Sequence, residues 1–375
     1  MNIVFGGDFA PSKILEDKFA AGEFDAVLGP IRPCFESADF NIVNFETTIL
    51  PPAGASPIAK EGPNLRNGSC AAEALKWLGI TGVTMANNHV MDYGAAALNN
   101  TVEVLDEKNI SYVGVGANLE AAARPLLLEK DGLKVAVVNC CEQEFSIATR
   151  TSPGANPLDP VAVYYQIRQA KQEADKVIVV VHGGHERFNL PSLRMKRTYR
   201  FFVDAGADAV INHHQHCYSG YEVYREAPIF YGVGNFCFDK PHEKTERFWH
   251  EGYLVGLNLS GAGVSFVLMP YIQCLGDSVV APMKDTDGFF GNIRRLNEII
   301  ASDELLQAEV EKNYDLYREL MLGVFEPKTN FLSKVLYKLK FLSSAFKTRK
   351  KYRIANYINC ESHLDRLRYS VNKTL

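Results

Sequence analysis

Three histidines crowd the end of one apolar run: Asp208-Ala209-Val210-Ile211, then Asn212-His213-His214-Gln215-His216. A short apolar run that breaks into imidazoles reads as a buried strand whose carboxyl end delivers ligands to a site. His214 and His216 are two apart, so an extended or turning backbone can point both the same way. Neutral imidazoles are the usual nitrogen ligands of zinc, iron and manganese. The competing reading is a polar loop with three unrelated histidines. Five of the chain's nine histidines stand at such run ends (His89, His182, His213, His214 and His216), which favours a metal site.

Other apolar runs end in the same way. Asn2 to Phe5 leads into Gly6-Gly7-Asp8, where the glycines permit a turn and Asp8 is either a hard oxygen ligand or a helix cap. Ala38 to Thr47 ends in Asn44 and Glu46, two on one face, equally a ligand pair or an exposed strand face. Ile80 to Ala86 ends in Asn87-Asn88-His89, with Asn88 a neutral oxygen ligand and His89 a general acid or phosphate-binding group. The most apolar run, Lys176 to Val181, empties into His182-Gly183-Gly184-His185-Glu186. There His182 reads as a ligand, and His185 and Glu186 as groups behind the ligands or beside a substrate. Lys60 and Arg66 lie in a Pro-, Gly- and Asn-rich loop over 51–69 and either reach an anionic substrate or stay solvated.

Helices must lie between these strands. Periodicity and caps predict one from Ala71 to Leu78 stopped by Gly79, and others over Ala95–Lys108, Val161–Asp175 and Ser192–Ala205. A strand is expected from Ile110 to Gly116, and hairpins at Asp131-Gly132, at 221–231 and at 252–269. Strands alternating with helices up to residue 210, then hairpins, indicate an α/β protein with mixed sheets.

The chain has 375 residues, 47% hydrophobic and 22% charged, enough for a large core. A net charge of −4 gives no general attraction to nucleic acid. Met1 to Asp8 lacks a basic segment followed by a long apolar one, and no run spans a bilayer, so a cytoplasmic protein is expected. Eight cysteines without a spaced CxxC pair argue against disulfides and cysteine-held zinc; Cys140 and Cys141 read as buried thiols.

The ordered set Gly7-Asp8, Asn44-Phe45-Glu46-Thr47, Asn87-Asn88-His89 with Asp92-Tyr93-Gly94, His182-Gly183-Gly184 with Glu186, His213-His214-Gln215-His216 and Gly232-Val233-Gly234-Asn235-Phe236 resembles the CapA-like family of poly-gamma-glutamate capsule biosynthesis proteins. That family is similar in fold to calcineurin-like metallophosphoesterases. The resemblance covers about residues 1–240 and implies a four-layer αββα sandwich, two mixed sheets face to face with helices outside. It implies one or two divalent ions (manganese, iron or zinc), about 3.5–4 Å apart where there are two. Asp8, Glu46 and His216 would face one ion. Glu46 would bridge to a second, held by Asn88, His182 and His214. His89 would protonate a leaving group or bind a phosphoryl oxygen. Two positions depart from the pattern. Ala10 stands where phosphoesterases usually carry a histidine, leaving the first ion a ligand short. Asn212 replaces a glycine before the histidines, an exchange a left-handed Asn would tolerate.

The expected organisation is a domain over 1–274, a helical extension over 275–327, and a basic tail over 328–375. Residues 328–353 hold nine Lys and Arg and no acid, with leucines at helical spacing. Such a helix lies on an anionic membrane face, or docks on the domain with its lysines solvated. Residues 354–375 read as a short final helix. The first functional expectation is a metal-dependent hydrolase of an anionic phosphoester or capsule-related polymer. The second is a non-catalytic assembly factor for capsule synthesis, recruited to the membrane by its tail. Nucleic acid is not an expected partner, and oligomeric state is not legible.

Overall fold

Alternation along one strand shows how the layers stack. Ile3 and Phe5 pack in an apolar cluster with Val137 and Val179, whereas Val4 packs with Leu15, Phe19 and Leu75. Neighbouring strand residues point to opposite faces, so this strand lies between a second sheet and a helical layer. The computed structural model describes residues 1–239, 247–323, 335, 338–339 and 350–373. Its first sheet has eight strands around Asn2–Phe9. Phe40–Phe45 and Asn235–Cys237 pair with that strand in parallel, and Glu251–Ser260 pairs antiparallel. The second sheet has six strands. Leu133–Cys141, Lys176–His182, Ala209–His213 and Ala227–Phe230 run parallel, with antiparallel edges Leu126–Lys130 and Tyr221–Tyr224.

Val177 to Val181 are all buried. Ile167 and Ala170 of the helix Pro160–Glu173, with Tyr199 and Phe202 of the helix Leu193–Ala205, belong to the same cluster and cover the outer face. A strand buried on both faces carries no polar alternation, which is why this run was the most apolar in the sequence. The layers are helices, sheet, sheet, helices, the sandwich that was expected. All eight cysteines are free, with Cys140 and Cys141 buried.

The structure departs from the sequence reading in places, each for a local reason. The first strand does not turn at Gly6-Gly7; it continues to Phe9. A Cβ on Gly7 would stand 1.9 Å from the Gly234 carbonyl oxygen, so the glycine serves close approach of two strands. The strand expected over 110–116 is split into Ser111–Val113 and Val115–Gly116 by Gly114 at φ +92°. Asn212 lies in its strand, opposite Val181, and the left-handed residues are His214 (φ 89°) and His216 (φ 56°).

The helical stretch after 275 forms two helices, Asp287–Ala301 and Asp303–Leu322. Phe289, Ile293, Leu306 and Val310 from them join the main core cluster. The expected basic helix over 328–353 lies outside the described residues except at Val335, Lys338, Leu339 and 350–353. In place of one final helix there are two, Lys350–Asn359 and Glu361–Asn372. Among the described residues no helix is long and apolar enough to cross a membrane.

Charge holds the final pair of helices down. Arg194 donates to Glu142 Oε1 at 2.6 Å and to Asp365 Oδ2 at 2.7 Å, while Ser362 donates to Glu142 at 2.8 Å. Gln143 N donates to Glu361 at 2.8 Å, and Arg353 pairs with Glu61. Arg194→Ala leaves Glu142 buried without its cation, and breaking such a pair costs about 3 kcal/mol. Chemical denaturation is expected to show that loss, and limited proteolysis to cut first within 350–373.

A pH dependence follows from the same contact. Burial, then the neighbouring charge of Glu142, pushes the Glu361 carboxyl up to about 7, from a usual 4.5. The folded chain therefore holds this proton more tightly than the unfolded chain. Its stabilising contribution is complete below about pH 4.5 and is lost as pH rises through about 7. The Tm of the wild type relative to Glu361→Gln is expected to fall across that window. A constant difference would contradict the assignment.

Candidate metal centre

Parallel strands from both sheets end at one place. In the first sheet Asp8 stands in register with Asn44 and with Asn235. In the second, His182 stands opposite His213. Packing the sheets face to face brings these ends together, and the chain then turns through His214 and His216. Left-handed backbone at a non-glycine residue is costly and collects at functional sites.

Two trios of ligand atoms result. Asp8, Glu46 and His216 form one; Glu46, His182 and His214 form the other; within each, the ligand atoms lie within 4.8 Å of one another. Glu46 is common to both. Its Oε1 is 3.5 Å from His182 Nε2, 3.9 Å from His216 Nε2 and 3.9 Å from His89 Nε2. Asn88 Oδ1 lies 3.1 Å from His182 Nε2, and His214 Nδ1 also lies 3.1 Å from it. His216 Nδ1 is 3.4 Å from Asp8 Oδ2.

Burial and charge set the protonation of this cluster. Glu46 is fully buried, and neither carboxylate oxygen has a hydrogen-bond partner. Burial, then the charges of Asp8 and Glu186, pushes its carboxyl well above the usual range. Burial also raises Asp8, but hydrogen bonds from His213 and His216 overcome it and hold that carboxyl well below its usual value. Burial and the neighbouring His214 hold His182 well below its ordinary value, which keeps the imidazole neutral. An orphaned buried carboxylate facing the neutral His182 imidazole fits a divalent ion with nitrogen and oxygen ligands.

Surrounding amides and carboxylates fix the ligands. Asn44 donates to Asp8 Oδ1 at 2.8 Å and lies 3.2 Å from His182 Nδ1. Asn235 Oδ1 is 2.9 Å from His216 Nδ1. His213 Nδ1 approaches Asp8 Oδ1 at 3.2 Å. Asp92 Oδ2 is 2.7 Å from His89 Nδ1. Ala10 is buried with Phe238 and Trp249, whose rings lie 5.1 and 4.9 Å from that of His216. Beside His216 the chain therefore places apolar groups, and Ala10 offers no further ligand.

Asp8, Glu46, Asn88, His89, His182, His214 and His216 thus converge. Lys60 reaches the cleft but is buried in an ion pair with Asp92 and lies 3.2 Å from His89 Nδ1. Arg66 is exposed and lines a neighbouring cavity of ≈ 390 Å³ with His216 and His89. Glu186 lines both that cavity and a second of ≈ 360 Å³. His185 lines only the second; it is buried, its ring 5.1 Å from that of Tyr314, with both nitrogens unpartnered. The sequence reading missed the holding roles of Asn44, Asp92, His213 and Asn235. Asp92 and Asn235 lay inside motifs already noted, which is the signal that could have found them.

The family described as "Bacterial capsule synthesis protein PGA_cap" matches residues 2–240. The chain is 32% identical over 229 residues to the capsule biosynthesis protein CapA of Bacillus anthracis, covering 59% of this chain and 56% of that protein. It is 31% identical over 244 residues to the PGA biosynthesis protein CapA of Bacillus subtilis (strain 168), covering 64% of each. The chain therefore spans less than two thirds of the length of either relative. A crystal structure of a hypothetical protein from Thermus thermophilus aligns with 72% of this chain and 98% of its own at a TM-score of 0.45 and 17% identity, too loose a likeness to bear on chemistry.

Because Glu46 serves both trios, Glu46→Gln is expected to abolish metal binding. His214→Ala should remove one ion. Asp8→Ala should lose less, since Ala10 already weakens its trio. Plasma mass spectrometry of untagged protein reads all three; equal metal in Glu46→Gln and wild type would refute the assignment.

Proposed function

This chain belongs to the family of bacterial capsule synthesis proteins, and from that premise we propose that it is a metal-dependent hydrolase of a phosphoester or a capsule-related polymer. One observation carries the reading: a buried carboxylate shared by two trios of candidate ligands, of which His214 lines one cavity and His216 the other. Asp8, Glu46 and His216 would hold one divalent ion, and Glu46, Asn88, His182 and His214 the other. Such ions supply a Lewis acid that stabilises a developing oxyanion and acidifies water.

The chain's own groups do the rest. Asp92 fixes the ring of His89 through Nδ1, so that Nε2 faces the Glu46 side of the cleft. His89 holds or returns a proton at Nε2 for a leaving oxygen. Lys60 neutralises Asp92 and keeps positive charge beside that imidazole. Buried ligand side chains need little reorganisation, which favours electrostatic stabilisation. Arg66, exposed in the ≈ 390 Å³ cavity, is a cation free to meet an anionic substrate.

A screen of phosphoesters and acidic peptides with manganese- or zinc-loaded protein tests this. Turnover is expected, and Asp8→Ala and His214→Ala should abolish it. His89→Ala should lower kcat by about 10²–10⁴-fold while metal content holds. No turnover by the metal-loaded chain, with capsule formation surviving the ligand substitutions in cells, would instead indicate a non-catalytic assembly role.

A further inference from the structure

The family match ends at residue 240, yet the wall of the ≈ 360 Å³ cavity facing His214 and Asn88 comes partly from the last two helices. Arg353, Asn356, Tyr357, Ser362, His363 and Arg366 line it. Arg353 is already paired, with Glu61. Arg366 is different. It is 4% exposed, donates to the neutral Asn313 Oδ1 at 2.8 Å and lies over the Tyr317 ring at 4.0 Å. Its Nε has no hydrogen-bond partner, and it forms no ion pair among the described residues. A buried guanidinium with no carboxylate in direct contact is costly, and an arriving anion lowers that cost; Glu144 and Glu186 also line this cavity, and the charge of Glu186 reaches Arg366. Two more buried polar atoms on this wall lack partners: His363 Nδ1 and Asn356 Oδ1. Both groups can present N–H to an anion, the amide by turning about its last torsion.

We propose that the two C-terminal helices form a substrate-binding wall, in which Arg366, with His363 and Asn356, grips an oxyanion of the substrate away from the bond that is cleaved. The proposal rests on the hydrolase reading for the word substrate, but the anion site itself does not. The oxyanion is a carboxylate or a phosphoryl group, since a buried guanidinium fork suits either. Binding energy from such a remote group can be used to orient the reacting end. Because the wall is outside the stretch shared with the family, it would select among substrates that the metal centre treats alike.

Calorimetric titration of the full chain with inorganic phosphate and, separately, with glutarate tests this. At least one anion is expected to bind, and whichever binds more tightly identifies the oxyanion. Arg366→Gln and the near-isosteric Asn356→Asp should each weaken that binding at least tenfold. Asp8→Ala, at the metal centre but outside the lining of this cavity, should leave it unchanged. Should Arg366→Gln lower the Tm, Asn356→Asp decides. Overturning results are no anion binding in the wild type, wild-type affinity in the deciding variant, or loss of binding in Asp8→Ala. Turnover is scored apart, so failure of the hydrolase reading leaves this result interpretable.

Discussion

A buried carboxylate without a hydrogen bond is the constraint on which this site depends. Glu46 sits where two sheets converge, with Asp8 beside it and imidazoles on the remaining sides. Left alone, such a group favours its protonated form, and burial and the charge of Asp8 push it that way. A cation reverses the balance. The neutral state of His182, the hydrogen bonds on Asp8 and the amide of Asn88 all fit such a cation.

The scaffold achieves this with strand ends. Parallel strands present their carboxyl ends on one edge, and a face-to-face pair of sheets places two such edges together. Gly7 is required because the Asn235 strand passes so near, and that nearness puts Asn235 against His216. The strain of left-handed His214 and His216 is held by strands fully buried on either side. Ligand placement and core packing are therefore one problem. Val179→Asp, three residues before His182 in the same buried strand, would put an unpaired charge in the core that aligns them.

The C-terminal helices add a different kind of contribution. They are docked by the Arg194–Glu142–Asp365 network and bring side chains from positions 353–366 to a site whose ligands end at 216. An appended element of this type alters what reaches the metal centre without altering the centre.

By itself the sequence determined most of the chemistry. Apolar runs that end abruptly in Asp8, Glu46, Asn88, His182 and His214 declare buried strands with candidate ligands at or near their carboxyl ends, because burial demands an unbroken apolar run and a site demands a polar end. An α/β fold with mixed sheets followed from the alternation of those runs with capped helices, and the four-layer sandwich from the family resemblance. Only tertiary structure decided that Lys60 is sequestered by Asp92, that Asn44 holds Asp8 and not an ion, and that Arg366 reaches the cleft. Those outcomes depend on contacts between residues 32, 36 and about 150–280 apart in the chain, and periodicity carries no record of such distances. The role of Gly7 was hidden for the same reason: a glycine that turns and a glycine that lets another strand pass are identical in sequence, and only the neighbouring backbone distinguishes them.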